Sequence, residues 1–176
     1  MVAEVAKAMG AQPVILTGTR DNRLEIGKQL GADHVINVRK ENVVEKVREL
    51  TGGKGVDYVI ECAGAPDGIN QAAQMLNRGG KICLAAFPGK PDEVDVAYLV
   101  RNNIYLFGIR GEGKTATHRA EAFMRQKRFD ATLIHTHTFD MTDLPEALRY
   151  AKDRVEGAIK VVVKNKHAVA RQVAAE

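Results

Sequence analysis

The amino-acid sequence predicts an α/β fold, a doubly wound parallel sheet followed by a smaller α+β segment. Two observations lead to this class. Short apolar runs rich in β-branched residues alternate with stretches of helical period, which is the pattern of βαβ units. Several of the runs are apolar at every position, as in strands that are covered on both faces. Right-handed crossovers then place helices on both sides of the sheet.

The first element is a helix over Met1–Met9, capped by Gly10, and the second is a buried strand over Pro13–Thr17, ended by Gly18. The alternation then continues to residue 109. The predicted elements are a helix over Arg23–Leu30, a strand over Asp33–Asn37, a helix over Glu41–Leu50, a strand over Val56–Glu61, a helix over Asp67–Leu76, a strand over Lys81–Phe87, a loop or short helix over 92–101, and a strand over Ile104–Ile109.

After about residue 111 the pattern changes, which predicts a second segment over residues 112–165 and a tail over 166–176. The second segment contains two helices and two strands. They are expected over Thr115–Lys127, Leu133–Phe139, Asp143–Arg154 and Ala158–Val163, in that order.

Composition narrows the function classes. The 176 residues are 45% hydrophobic and carry a net charge of +4 that is spread along the chain, and only 5% are aromatic, so nucleic-acid binding is not expected. No apolar run is long enough to cross a membrane, and Met1–Lys7 does not have the pattern of a signal peptide. Cys62 and Cys83 could pair in principle, but sparse cysteines in a βα-rich chain favour reduced thiols and a cytoplasmic location.

Four stretches, in their order and spacing, carry a resemblance to a known family. They are Glu4–Ala11, Arg23–Asp33, Gly55–Gly64 and Val155–Val163. Together they resemble the zinc-type medium-chain alcohol and polyol dehydrogenases, near the sorbitol and threonine dehydrogenases, and the resemblance covers roughly residues 1–165.

The resemblance implies that residues 1–111 are a Rossmann-like dinucleotide-binding domain and that 112–165 are the return segment of the catalytic domain. In that family a strand and a G-x-G-x-x-G turn precede the first helix, and the chain starts after both of them, so the sheet should lack its first strand. The neighbouring strands would then have unpaired edges, and we expect self-association into a homo-oligomer or marginal stability. The catalytic and zinc-binding residues of the family lie upstream, so none is assigned in this chain, which alone should be inactive.

The predicted adenosine end of the cofactor site is the turn after the first strand. By resemblance Gly18 stands where a ribose-binding carboxylate is usual, and Thr19, Arg20 and Arg23 follow it. A glycine makes room for a 2′-phosphate and the two arginines supply charge-assisted donors, which favours NADP over NAD. The alternative is that Gly18 is only a turn residue and that the arginines are solvated.

The resemblance places the ends of three later strands beside the dinucleotide. The stretch Cys62, Ala63 and Gly64 would pack along it, while the backbones of Ala85, Ala86 and Phe87 and of Ile109 and Arg110 would lie near the nicotinamide carboxamide. The alternative for the Cys62 thiol is a small core side chain.

Two further features receive structural interpretations. His135 and His137 share one face of a predicted strand and could chelate a metal, but no third ligand has suitable spacing. Glu61 ends a buried strand and could accept hydrogen bonds from backbone donors.

The implied activity of the parent enzyme is hydride transfer between NAD or NADP and a secondary alcohol, in particular a polyol, with zinc bound by the missing half. Two alternatives stay open. One is a zinc-free quinone or enoyl reductase of the same superfamily, and the other is a non-catalytic nucleotide-binding fragment.

Overall fold

The computed structural model describes residues 1–111, 113–126 and 132–165. The chain divides into two compact units, unit 1 with Met1–Val35 and Phe123–Glu176, and unit 2 with Ile36–Ala122. In chain order the helices and strands are α1 (Val2–Ala8), β1 (Ile15–Gly18), α2 (Asp21–Gln29), β2 (His34–Asn37), α3 (Val43–Leu50), β3 (Val56–Glu61), α4 (Gly68–Met75), β4 (Leu76–Leu84), α5 (Val96–Arg101), β5 (Tyr105–Gly108), α6 (Gly113–Arg125), β6 (His135–Asp140), α7 (Leu144–Asp153) and β7 (Lys160–Lys164).

Helix α2 packs closely on β1 in unit 1, and the contact depends on a glycine. A Cβ built on Gly27 would overlap the Leu16 side chain. Ala3, Val14 and Ala32 form the buried cluster beside this contact. The small residues therefore set the distance between helix and strand.

A charged contact fixes the start of β1 against α1. The Asp33 carboxylate accepts two hydrogen bonds from Lys7 Nζ, at 2.9 and 3.0 Å, and one from the Val14 backbone N–H at 2.6 Å. Bonding to Lys7 and then to the Val14 N–H lowers the pKa of Asp33, because both donors favour the ionised carboxylate.

Unit 2 is built on a parallel sheet with the strand order β3-β4-β5. One face carries the core, where Ala72, Ala73, Leu76 and Ile82 are buried. The burial follows from the sequence, because α4 places small residues against a central strand that is apolar on this face.

The α/β class and the parallel pairing predicted from the sequence are confirmed. In the described part of the chain the strands form three separate sheets, β1-β2, β3-β4-β5 and β6-β7, and β3 pairs with β4 alone.

The predicted strand over Lys81–Phe87 is wrong at both ends, since β4 runs from Leu76 to Leu84. Val56 pairs with Leu76 and Tyr58 with Lys81, so the register shifts between them. A bulge around Gly79, whose φ of +81° suits glycine, absorbs the extra residues. Ala85, Ala86 and Phe87 consequently lie in the loop beyond the strand.

The other predicted elements agree with the structure to within a few residues at their ends. Helix α6 starts two residues earlier than predicted, at Gly113, and ends at Arg125, while the predicted end at Lys127 lies outside the described residues. The predicted tail over 166–176 lies outside the described residues.

Candidate functional site

A cavity of about 410 Å³ opens in unit 2 at the carboxyl ends of β3 and β4. Its walls come from the end of each strand, the loop that follows it, and the first turn of α4. The lining residues are Glu61, Gly64, Ala65, Pro66, Ile69, Leu84, Ala86, Pro88, Gly89, Lys90, Pro91 and Asp92. Most of them are apolar, with Glu61, Lys90 and Asp92 as the charged exceptions. The cavity brings together Gly64 and Ala86, two residues that the sequence assigns to the cofactor.

Glu61 ties the two loops that border the cavity. Its carboxylate Oε1 accepts the backbone N–H of Ala63 at 2.7 Å and of Gly64 at 2.8 Å. Its carbonyl oxygen accepts the N–H of Ala85 at 2.8 Å and of Ala86 at 3.1 Å. The predicted bonding of Glu61 to backbone donors is thereby confirmed, and the loops after β3 and β4 are held at a fixed spacing.

Gly64 is required where these two loops approach each other. Its φ is +60°, and a Cβ built on it would lie 3.4 Å from Ala86 Cβ and 3.5 Å from Pro88 Cα. Any other residue would be strained by this backbone conformation, whereas its Cβ would only make ordinary van der Waals contact with the other loop.

The outer wall is a hydrogen-bonded loop that the sequence analysis missed. Asp92 Oδ1 accepts the N–H of Asp67 at 3.3 Å and of Glu93 at 3.1 Å. The Asn70 side chain donates to Asp67 Oδ1 at 2.8 Å and to the Glu93 carbonyl at 3.0 Å, and it accepts the Asp95 N–H at 2.9 Å. The three bonds that join residues 67–70 to residues 92–95 link partners 23 to 25 residues apart, so no local pattern indicates them.

Cys62 is an exposed residue, so the alternative interpretation as a core side chain is wrong. Partial desolvation raises the pKa of its thiol, and the neighbouring Glu61 carboxylate raises it further. A raised pKa disfavours the thiolate, so these surroundings do not activate Cys62 as a nucleophile.

The ends of β4 and β5 present exposed side chains. Phe87 is 85% exposed and Ile109 is 55% exposed. The Arg110 guanidinium lies 5.8 Å from the centroid of the Phe87 ring, within the range of a cation–π contact. The Ile109 N–H donates to the Leu84 carbonyl at 3.0 Å, which continues the ladder by one residue.

The remaining predicted site residues lie in unit 1, at the turn from β1 into α2. Gly18 ends β1, Thr19 is exposed, and Arg20 is the half-buried N-cap residue of α2. Arg23 is exposed in the first turn of the helix. A Cβ on Gly18 would lie 3.1 Å from Leu24 Cδ2, so this glycine also relieves crowding.

His135 and His137 lie on β6 and bind neighbouring hydroxyls. His135 Nε2 is 2.8 Å from Thr138 Oγ1, and His137 Nδ1 is 2.9 Å from Thr136 Oγ1. The His137 ring also meets the Tyr150 ring edge-on at 5.1 Å. Over residues 1–111, 113–126 and 132–165, no three His, Cys, Asp or Glu side chains are grouped so that they could hold a metal ion. In the same ranges no helix has the length and apolar character needed to span a membrane.

Comparison with known proteins assigns the family. Residues 1–126 match the model of the family described as zinc-binding dehydrogenase. The chain belongs to the zinc-binding dehydrogenase family. The family resemblance drawn from the sequence is thereby confirmed.

Individual relatives of this family member agree with the assignment. Sorbitol dehydrogenase from Bacillus subtilis is 29% identical over 164 residues, which cover 93% of this chain and 46% of that protein. L-Threonine 3-dehydrogenase from Shigella sonnei is 28% identical, over 90% of this chain and 47% of that protein. The structure of 2R,3R-butanediol dehydrogenase from Bacillus subtilis matches with a TM-score of 0.83 and 26% identity, over 93% of this chain and 46% of that one. The chain spans about half the length of these relatives.

Proposed function

We propose that this chain is the cofactor-binding portion of an NAD(P)-dependent dehydrogenase that transfers hydride between the nicotinamide and a secondary alcohol, in particular a polyol. The cavity at the carboxyl ends of β3 and β4 carries the proposal, because ligands of open α/β sheets bind outside these ends. Two relatives are named for sorbitol and for 2R,3R-butanediol, and both compounds are polyols.

The residues around the cavity suit a flat, partly apolar ligand. The small residues Gly64 and Ala86 leave backbone accessible, and Glu61 holds their loops in place. The nicotinamide, when bound, supplies the hydride acceptor, while the chain orients the ring and excludes water from one side of it. In this proposal the unit 2 contacts come from Cys62, Ala63, Gly64, Ala85, Ala86, Phe87, Ile109 and Arg110.

The role of the cavity in dinucleotide binding is tested with a substitution that narrows the cavity. Ala86→Leu places a larger side chain on the lining, and Ala97→Leu makes the same change at an exposed position of α5. We expect Ala86→Leu to weaken binding of the dinucleotide to the chain at least tenfold by calorimetric titration, and Ala97→Leu to leave it within twofold. Equal affinity of the two variants for the dinucleotide would show that the cavity is not part of the cofactor site.

At the adenosine end of the cofactor site, we propose that the intact dehydrogenase prefers NADP over NAD. Gly18 supplies no carboxylate to repel a 2′-phosphate, and Thr19 is exposed beside it. Arg20, as the main contact, and Arg23, as the secondary one, stand at the start of α2, where the helix N-terminus also favours an anion. A charge-assisted contact of this kind changes affinity about tenfold to hundredfold.

The cofactor preference is measured as the ratio of kcat/KM for NADP to that for NAD in the intact dehydrogenase. Arg20→Ala should reduce this ratio about tenfold or more, and Gly18→Asp should reduce it by restoring a ribose acceptor and repelling the phosphate. Arg39→Ala removes an exposed charge elsewhere and serves as the control. An unchanged ratio in Arg20→Ala, or a native preference for NAD, contradicts the proposal.

The remaining assignments concern the assembly and its compartment. We propose a homo-oligomer, because the four residues of β5 are exposed and, among the described strands, it pairs with β4 alone. Sedimentation at micromolar concentration tests this, and a compact monomer would contradict it.

The free thiols of Cys62 and Cys83 support a cytoplasmic location. We also propose that the chain by itself oxidises no alcohol, and turnover by the purified 176-residue chain would disprove this.

A further inference from the structure

Lys90 lines the cavity at the carboxyl ends of β3 and β4, and the proposed function does not use its charge. The rest of the lining is mostly apolar, with Glu61 and Asp92 as the other charged residues. Over residues 1–111, 113–126 and 132–165, the exposed Lys90 ammonium makes no hydrogen bond, ion pair or ring contact. A free ammonium on the wall of an apolar cavity is available to an anionic group of a ligand.

The two carboxylates of the lining, in contrast, are bound by the backbone. Glu61 Oε1 accepts two N–H groups of the loop after β3, at 2.7 and 2.8 Å. Asp92 Oδ1 accepts two others, at 3.3 and 3.1 Å. Both acids therefore have a role in holding the loops together, whereas nothing in the described part of the fold accounts for the charge of Lys90.

The loop after β4 holds Lys90 between two anchored points. On one side the Ala86 N–H donates to the last carbonyl of β3 at 3.1 Å, and on the other Asp92 accepts the N–H of the N-cap residue of α4 at 3.3 Å. Between these points the rings of Pro88 and Pro91 fix their own φ angles, and a residue that precedes proline is restricted to extended backbone. The backbone of Lys90 is thus constrained beside the cavity, which lowers the entropic cost of placing its ammonium on a ligand.

The neighbouring acids favour one class of anion. Two carboxylates on the same wall repel a dianion such as a phosphate ester more strongly than a singly charged carboxylate. The single ammonium is a compact point charge, and phosphate sites usually add several backbone N–H groups or an arginine. At about 410 Å³ the cavity lies within the roughly 300–1,000 Å³ of pockets that hold small molecules, so a short carboxylate-bearing chain has room beside a nicotinamide ring.

We propose that the substrate of the intact dehydrogenase is a polyhydroxy acid, and that the Lys90 ammonium binds its carboxylate. The inference rests on the proposed function, in which the nicotinamide lies in the same cavity. The carboxylate orients the substrate and is unchanged by the reaction. A secondary alcohol carbon still gives its hydride to the nicotinamide, and its hydroxyl proton passes to solvent. Lys90 then distinguishes polyhydroxy acids from neutral polyols.

The test compares two ligands that differ in one terminal group, D-gluconate with a carboxylate and sorbitol with a hydroxymethyl group. Each is titrated into the 176-residue chain, with and without saturating NADP, and amide NMR shifts report both affinity and location. Gluconate should bind about tenfold more tightly than sorbitol, as expected for one charge-assisted contact. Its shifts should be concentrated at Gly64 and Gly89 of the cavity wall. Ionic strength near 1 M, where the Debye length is about 3 Å, should remove most of the preference.

Matched lysine variants locate the cation. Lys90→Met keeps an apolar stem and should weaken gluconate about tenfold without a matching loss for sorbitol, while Lys90→Arg should retain most of the preference. Lys54→Met removes another exposed lysine of unit 2 and should leave the preference within twofold. The inference is overturned if gluconate binds no more tightly than sorbitol, or if Lys54→Met has the same effect as Lys90→Met.

Failure of the proposed function has a different signature. In that case Ala86→Leu leaves dinucleotide affinity unchanged, whatever the carboxylate preference. If the present inference alone is wrong, Ala86→Leu still weakens dinucleotide binding, and gluconate and sorbitol bind equally.

Discussion

Arg48, in the last turn of α3, holds together two segments of unit 2. Its Nε and Nη2 donate to the Gln74 carbonyl at 3.1 and 2.7 Å, and Nη2 also donates to the Leu76 carbonyl at 2.8 Å. Its Nη1 donates to the carbonyls of Gly53 and Lys54 at 3.0 and 2.9 Å. One guanidinium therefore satisfies four carbonyls, two in the loop after α3 and two at the junction of α4 with β4. We predict that Arg48→Ala substantially destabilises the chain.

The size of the effect follows from these contacts. Each carbonyl that loses its partner costs about 1 kcal/mol net, and the cost is reduced where water can replace the donor. Ordering the arginine side chain costs about 1–2 kcal/mol in wild type, which offsets part of the gain. The expected loss in the free energy of unfolding is about 2–3 kcal/mol, which for a chain of this size lowers Tm by about 4–12 °C.

Urea denaturation followed by circular dichroism measures this loss, with Tm as a second readout. Arg48→Lys should recover less than half of the stability, because one ammonium cannot reach both segments at once. Arg78→Ala removes an exposed arginine at the start of the same sheet and should change the free energy by less than about 0.5 kcal/mol. If Arg48→Ala behaves like that control, the four carbonyls are solvated without loss and the reasoning fails.

Two further predictions concern unit 1. Asp33→Asn should lower stability at neutral pH, because the lowered pKa of Asp33 means that the ionised carboxylate, bound to Lys7, stabilises the fold. This contribution is fully present above the unfolded pKa of about 4 and is lost as the pH falls through the lower folded pKa. The gap between the urea midpoints of wild type and variant should therefore shrink progressively as the pH is lowered below about 4, and a gap that does not change with pH argues against it. Gly27→Ala should cost about 1 kcal/mol, because the new Cβ displaces the Leu16 side chain from its packed position, and a thermal melt that matches wild type contradicts this prediction.

The local sequence pattern was sufficient to predict most of the secondary structure. The run from Val56 to Glu61 predicts β3 with both of its ends, because β-branched residues between a glycine and a turn leave few other conformations. Gly10 and Gly31 follow the ends of helices, and each has a φ near +93°, a left-handed conformation that glycine commonly adopts at the C-terminus of a helix. The stretches that carry the family resemblance are local as well.

Local sequence pattern could not predict where β4 begins and ends. The segment around Gly79 suggests a turn, since two glycines in succession are typical of one. The pairing of Val56 with Leu76 nevertheless extends the strand across it as a bulge. Pairing with a strand twenty residues earlier in the chain, and not the local turn propensity of the segment, decided that β4 begins at Leu76. The strand ends at Leu84, so Ala85 and Phe87 lie in the loop that follows it.

The sequence by itself determined the α/β class, the order of the elements, the family, and the positions of Gly64 and Ala86 at strand ends. Only the tertiary structure decided that these two residues border one cavity, that Glu61 fixes the loops around it, and that Arg48 joins α3 to the start of β4. The physical reason is range. Capping, periodicity and backbone propensity act over a few neighbouring residues. A cavity wall, or the bonds from the Arg48 guanidinium to the Gln74 and Leu76 carbonyls, joins groups that are more than 20 residues apart and meet only after folding.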